Sequence, residues 1–108
     1  MYIYNVTVNI EDAAHDKWLA WMKETHILDV LATKLFIDCK LTEVLVDHEQ
    51  GRTYSIQYTV KDEETLKLYQ EVYAKKLQQE HRDLFEGKFV AFRTLLRVEG
   101  HFQNTDPR

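Results

Sequence analysis

A chain of 108 residues, 44% of them apolar, has room for one domain with its own core. Eighteen acidic against fourteen basic side chains leave a net charge of −4, which disfavours a sequence-independent hold on nucleic acid, because that hold is built from clustered Lys and Arg. One cysteine, no apolar run near the ~20 residues that cross a bilayer and no basic segment leading into an apolar one argue against a disulfide scaffold, membrane insertion and export; the expected setting is cytoplasmic.

Tyr2 to Ile10 alternate, with Tyr2, Tyr4, Val6, Val8 and Ile10 on one side and Ile3, Asn5, Thr7 and Asn9 on the other, which predicts a strand with one buried face. Asp12 is placed to cap a helix in which Trp18, Trp21, Met22 and Thr25 recur at helical spacing, giving a helix from about Asp12 to His26. Ile27, Val30 and Leu31 keep that spacing, and the sequence leaves open whether the helix continues or bends before Thr33 and Lys34. Leu35 to Val46 is rich in β-formers on both parities: Leu35, Ile37, Cys39, Leu41 and Leu45 on one, Phe36, Val44 and Val46 on the other. Asp47 to Gly51 reads as a hairpin loop, with Gly51 available for a positive φ. The next strand sets Tyr54, Ile56, Tyr58 and Val60 against Ser55, Gln57 and Thr59. Asp62 caps a second helix, opened by Glu63 and Glu64, whose stripe of Leu66, Tyr69, Tyr73 and Leu77 carries it to about His81 or Leu84. Gly87 stops it. Lys88 to Val98 forms the last strand, with Val90, Phe92, Leu96 and Val98 on one face and Phe89, Ala91, Arg93, Leu95 and Arg97 on the other.

This order is β-α-β-β-α-β, which right-handed crossovers turn into an α+β, ferredoxin-like sandwich: a four-stranded antiparallel sheet with two helices on one face. Residues 1–98 form the single domain and 99–108 a polar C-terminal tail. Two helices leave one sheet face uncovered. Asn5, Thr7, Asn9, Ser55, Gln57 and Thr59 are expected at its centre, with Phe89, Ala91 and Leu95 at one margin and an apolar set at the other. A sheet that binds RNA would need stacking aromatics at that centre and basic flanks, and has neither. Polar centre and apolar margins are both satisfied when two copies pair face to face around a polar pocket, so a homodimer is expected.

The segments YNVTVNIED, HDKWLAWMKETHILDVLATKLF and LQQEHRDLFEGKFVAFRTLL resemble a family of short bacterial proteins catalogued only as a domain of unknown function. Its pattern often carries proline at the position of Leu28 and glycine at that of Lys34. The layout is also similar to the dimeric α+β barrel superfamily, which includes cofactor-free monooxygenases, haem-degrading enzymes and stress-response proteins. None of the catalytic motifs of those families is matched here.

Five histidines raise the question of a metal. His15 and His26 lie on one helix about 16 Å apart along its axis, too far to share an ion, and no spacing used by zinc sites is present. No metal and no cofactor is expected, and the histidines read as capping or surface groups. Trp18, Trp21 and Met22 read as core, and Cys39 as a small buried apolar residue. The acid–base candidates are His81 and Glu80, although adjacent helical residues do not face each other. The ligand-binding candidates are Asn5, Thr7, Gln57 and Arg93, polar groups expected to share the open face and to donate to an oxygen-rich ligand; the alternative role for them is hydrogen bonding between subunits. The expected function is that of an uncharacterised small-ligand-binding or interaction domain, a homodimer holding a small polar or aromatic molecule between its sheets. The alternative, implied by the barrel resemblance, is a cofactor-free, monooxygenase-like enzyme acting on a small organic substrate.

Overall fold

In the computed structural model, which describes residues 1–46 and 50–104, the chain forms β1 (Tyr2–Ile10), α1 (Asp12–Trp21), a π-helical turn (Met22–His26), α2 (Ile27–Ala32), β2 (Asp38–Val44), β3 (Arg52–Val60), α3 (Glu63–Val72), α4 (Ala74–Phe85) and β4 (Phe89–Arg97). Among the described residues the strands make one antiparallel sheet in the order β2-β3-β1-β4, which places β1 and β3 at the centre as the crossovers require. Alternation decides what faces the helices. Tyr4, Val8 and Ile10 of β1 and Tyr54, Ile56, Tyr58 and Val60 of β3 are all buried, together with Trp18, Met22, Val30, Leu66, Leu77 and Phe85 from the helices. Each such side chain contributes roughly 1.5–3 kcal/mol by leaving water. No helix among the described residues is long and apolar enough to cross a membrane.

The first helical segment continues beyond His26, through the π-helical turn, to Ala32. Its N-cap is Glu11, which makes no side-chain cap bond, and Asp12 stands inside the first turn. Thr33 ends the segment, its hydroxyl donating to the Val30 carbonyl at 2.7 Å, and Lys34 follows with φ of 65°. The second helix bends at Tyr73, where φ falls to −116°, and so divides into α3 and α4. Asp62 caps α3 as expected, its carboxylate accepting from the Thr65 N–H at 2.8 Å. Gly51 takes φ of 77°, a value open to glycine at little cost. Of the predicted hairpin loop, Asp47 to Gly51, residues 47–49 lie outside the described residues.

The faces of the outer strands differ from expectation. β4 pairs Ile10 with Phe89, Val8 with Ala91, Val6 with Arg93 and Tyr4 with Leu95. Directly paired residues share a face, so Phe89, Ala91, Arg93 and Leu95 lie on the helix side, and Val90, Phe92, Thr94 and Leu96 lie on the open side. On β2 the residues paired with Thr59, Gln57, Ser55 and Thr53 are Asp38, Lys40, Thr42 and Val44, a largely polar margin. The open face is therefore apolar along β4, not along both edges. β2 also starts later than predicted: Leu35, Phe36 and Ile37 precede it, and Phe36 packs among the rings of Tyr4, Tyr58 and Tyr69.

Candidate functional site

Helix α4 buries Ala74, Leu77, His81 and Phe85 at intervals of three and four, so a histidine occupies a place in its apolar row. On the opposing segment Trp18, Met22, His26 and Val30 follow at strict intervals of four. In an α-helix each such step would turn about 40° further round the axis. The π-helical turn, with its longer hydrogen-bonded loop, takes back part of that drift and leaves His26 against the sheet.

The indole N–H of Trp18 donates to His81 Nε2 at 2.9 Å inside the core. An indole N–H is only ever a donor, so Nε2 supplies the lone pair and neutral His81 carries its proton on Nδ1. Protonation would turn two N–H groups toward each other. The His81 ring stacks on Phe89, with centroids 3.9 Å apart and planes within 10°, and also on Trp21, which stacks in turn on His26. Burial holds His26 down at about 4, with Asp29 opposing and the Arg93 charge assisting. Burial likewise holds His81 at about 4, assisted by His26, Arg93 and Arg82. Both imidazoles are therefore neutral at pH 7. His26 Nδ1 is fully enclosed and has no hydrogen-bond partner among the described residues, the condition of a group that ordinarily meets water or a ligand.

Two spaces meet here. A cavity of about 30 Å³ lies between helices and sheet beneath His26, walled by Tyr58 and Tyr69 and large enough for roughly two waters. A groove of about 470 Å³ runs between α4 and β4. Gln78, His81 and Arg93 line both, and so form the neck that joins them. Burial raises the Tyr58 and Tyr69 phenols, which stay protonated.

The sequence candidates divide between the two sides of the sheet. His81 and Arg93 come together at the neck, with Gln78 and His26, which the sequence reading did not select. Glu80 is half-buried but lines neither space. Asn5, Thr7 and Gln57 lie on the open side, away from Arg93, because Arg93 pairs with Val6 and not with an open-face residue. There they form a polar row: Asn5 Nδ2 donates to the Thr7 hydroxyl at 3.0 Å, Ser55 Oγ donates to Asn5 Oδ1 at 2.5 Å and Gln57 Nε2 donates to Ser55 Oγ at 3.3 Å. A separate hollow of about 520 Å³ adjoins Gln57, Ile3 and Lys40. His15 is buried as well, its Nε2 2.6 Å from the Tyr54 hydroxyl and its Nδ1 2.8 Å from Asp16, which ties α1 to β3. His15 and His81 are thus core groups, and His26 is half-buried against the core with its Nδ1 enclosed, so none of the three is a capping or surface group. Burial, aided by Asp38, pushes the Cys39 thiol up to about 11 and keeps it unreactive. Among the described residues no three His, Cys, Asp or Glu side chains are grouped to hold a metal ion.

Residues 1–99 match the model of a family described as Domain of unknown function (DUF4286). The chain belongs to DUF4286. No curated protein matches it. Among solved structures the DUF4286 chain is similar to a dimeric ferredoxin-like protein from an uncultured marine organism, at 11% identity over 96% of this chain and 100% of that one, with a TM-score of 0.65. It is also similar to a candidate antibiotic biosynthesis monooxygenase from Bacillus cereus, at 12% identity over 95% and 97% of the two chains, with a TM-score of 0.66. A third similar structure is a dimeric ferredoxin-like protein of unknown function from Jannaschia sp. CCS1, at 20% identity over 91% and 100%, with a TM-score of 0.53. At these identities the likeness shows a fold, and the DUF4286 chain has the ferredoxin-like α+β fold.

Proposed function

We propose that this DUF4286 protein is a homodimeric small-molecule-binding protein whose ligand enters the groove between α4 and β4 and is held at Gln78, His81 and Arg93. The observation that carries this reading is that the same three polar side chains line both the groove and the inner cavity, beside an imidazole nitrogen with no partner. A buried imidazole such as His81, or an enclosed nitrogen such as His26 Nδ1, costs stability unless something completes its hydrogen bonds, and a ligand would do so. Pairing is supported by Val90 and Phe92, which are 70% and 62% exposed on the open face, and by Leu96 beside them. Two of the similar proteins are described as dimeric. In this arrangement Asn5, Thr7 and Gln57 line the space between the sheets and serve the contact between copies, while Arg93 serves the ligand.

A second reading is favoured by His26. Its unpartnered Nδ1 belongs to an imidazole that is neutral at pH 7, and such a nitrogen can take a proton from a bound molecule. The protein would then be a cofactor-free enzyme acting on a small organic substrate, with His81 orienting it. The test of the first reading is a fragment screen followed by amide NMR on the whole protein, with light scattering to give the mass. Shifts gathered at Gln78, His81 and Arg93 in a particle of two chains are expected. Shifts confined to the open face, or a particle of one chain, would overturn it.

A further inference from the structure

The neck presents donors. Trp18 holds His81 Nε2 as an acceptor, so what His81 offers to an incoming group is Nδ1–H. Arg93 offers guanidinium N–H groups and has no acceptor atom. The Gln78 amide can turn its NH₂ inward. No carboxylate among the described residues forms an ion pair with Arg93. Its side chain lines the inner cavity as well as the groove, and its charge bears on His26, His81 and Tyr69 there. Carboxylates do reach the groove, from Asp83 and Glu86, but with Arg82 and Gln79 beside them: Gln79 donates to Asp83 at 2.7 Å and accepts from Arg82 at 2.9 Å. That end of the groove is already neutralised, whereas the neck holds an unmatched cation.

We infer that the ligand is a small organic carboxylate, its oxygens accepting from Arg93 and from His81 Nδ1–H and its apolar part lying in the groove beside Phe89 and Ala91. This rests on reading the neck as a binding site. A carboxylate there makes charge-assisted bonds to a guanidinium, the geometry that gives the largest gain over a neutral analogue. His81 contributes as a neutral donor, since gaining a proton would cost it the Trp18 bond. The charged and titratable groups that face the two histidines are Asp29 from α2, Arg82 on α4, Arg93 on β4, and the phenols of Tyr4, Tyr58 and Tyr69. None is of a type that titrates near neutrality, so affinity is expected to hold constant from about pH 6 to 8.5.

Benzoate and its uncharged isostere benzamide make the probes, titrated into the whole protein and followed by amide NMR and calorimetry. Benzoate is expected to shift Gln78, His81 and Arg93 and to bind about tenfold tighter than benzamide or better. Arg93→Gln, at an exposed position, should remove that advantage, so that benzoate binds no tighter than benzamide. Equal affinity of the two probes at the neck overturns the carboxylate inference and leaves the binding site standing. A fall in benzoate affinity of about tenfold between pH 6 and 8 would mean that a histidinium is the partner, and would overturn the role given to neutral His81. Failure of both probes and of every screened fragment to shift the neck removes the binding reading itself.

Discussion

A histidine in the apolar row of a helix stays there only while it is neutral, and that condition links the fold to pH. His26 and His81 stand at about 4 in the folded chain against an ordinary 6.5. Between those values the unfolded chain binds more protons than the folded one, so the contribution of these groups is intact above pH 6.5 and is lost as pH falls toward 4. The urea midpoint should therefore decline over that window, and His26→Phe should reduce the decline, which denaturation at pH 7.5, 5.5 and 4.5 would measure. Unchanged pH dependence in the variant would remove His26 as a cause. Lys34 offers a second test at this scale. It carries a side chain at φ of 65°, where a Cβ meets the following carbonyl. Lys34→Gly should raise stability by about 0.5–1 kcal/mol, the relief of strain exceeding the freedom that glycine adds to the unfolded chain. Equilibrium denaturation at neutral pH would read it, and a loss of stability would mean that the turn is not strained.

At the scale of elements, the π-helical turn brings Met22 and His26 to the same inner cavity. Thr25, within it, is exposed. Deleting Thr25 should let the segment close as a regular α-helix with Met22 and Val30 both keeping their places in the core, and His26, still four residues before Val30, should keep its face. Its imidazole should then still titrate near 4, which NMR of the ring protons would show; a return to its ordinary 6.5 would mean that the turn itself holds the ring against the sheet. The turn left a trace in the sequence, because Trp18, Met22, His26 and Val30 are spaced by four where an α-helical stripe alternates threes and fours. The central strands were legible because each has a clean parity, Tyr54 to Val60 against Ser55 to Thr59. β4 was not, because Phe89, Ala91 and Leu95 are as apolar as Val90, Phe92 and Leu96. Only the register Ile10 to Phe89 assigns its faces, and register is a property of the pair of strands. That single ambiguity is why Arg93 was grouped with Asn5 and Gln57 rather than with His81.

At the scale of the whole molecule, the apolar row on β4 and the neck lie on opposite sides of one sheet, so pairing and ligand binding should be separable. Val90, Phe92 and Leu96 neighbour Asn9, Thr7 and Ile3 across the β1–β4 ladder. Burying three such side chains in each copy contributes roughly 1.5–3 kcal/mol apiece, enough to offset an association cost in the range of 4–15 kcal/mol. A charge in the middle of that row should abolish the gain, and light scattering at micromolar concentration is expected to give a particle of two chains for the parent and of one chain for Phe92→Glu. Phe92 is outside the core, so circular dichroism and the urea midpoint of the single chain should report an intact fold. Leu68→Glu supplies the comparison: Leu68 is 47% exposed on α3, next to the exposed Val72, and offers the other apolar surface through which copies could meet. It should leave the two-chain particle unchanged. Dissociation by Leu68→Glu and not by Phe92→Glu would mean that the copies pair through their helices. If Phe92→Glu separates the copies as expected, the monomer should still shift Gln78, His81 and Arg93 on addition of benzoate, because every side chain of the neck comes from one chain.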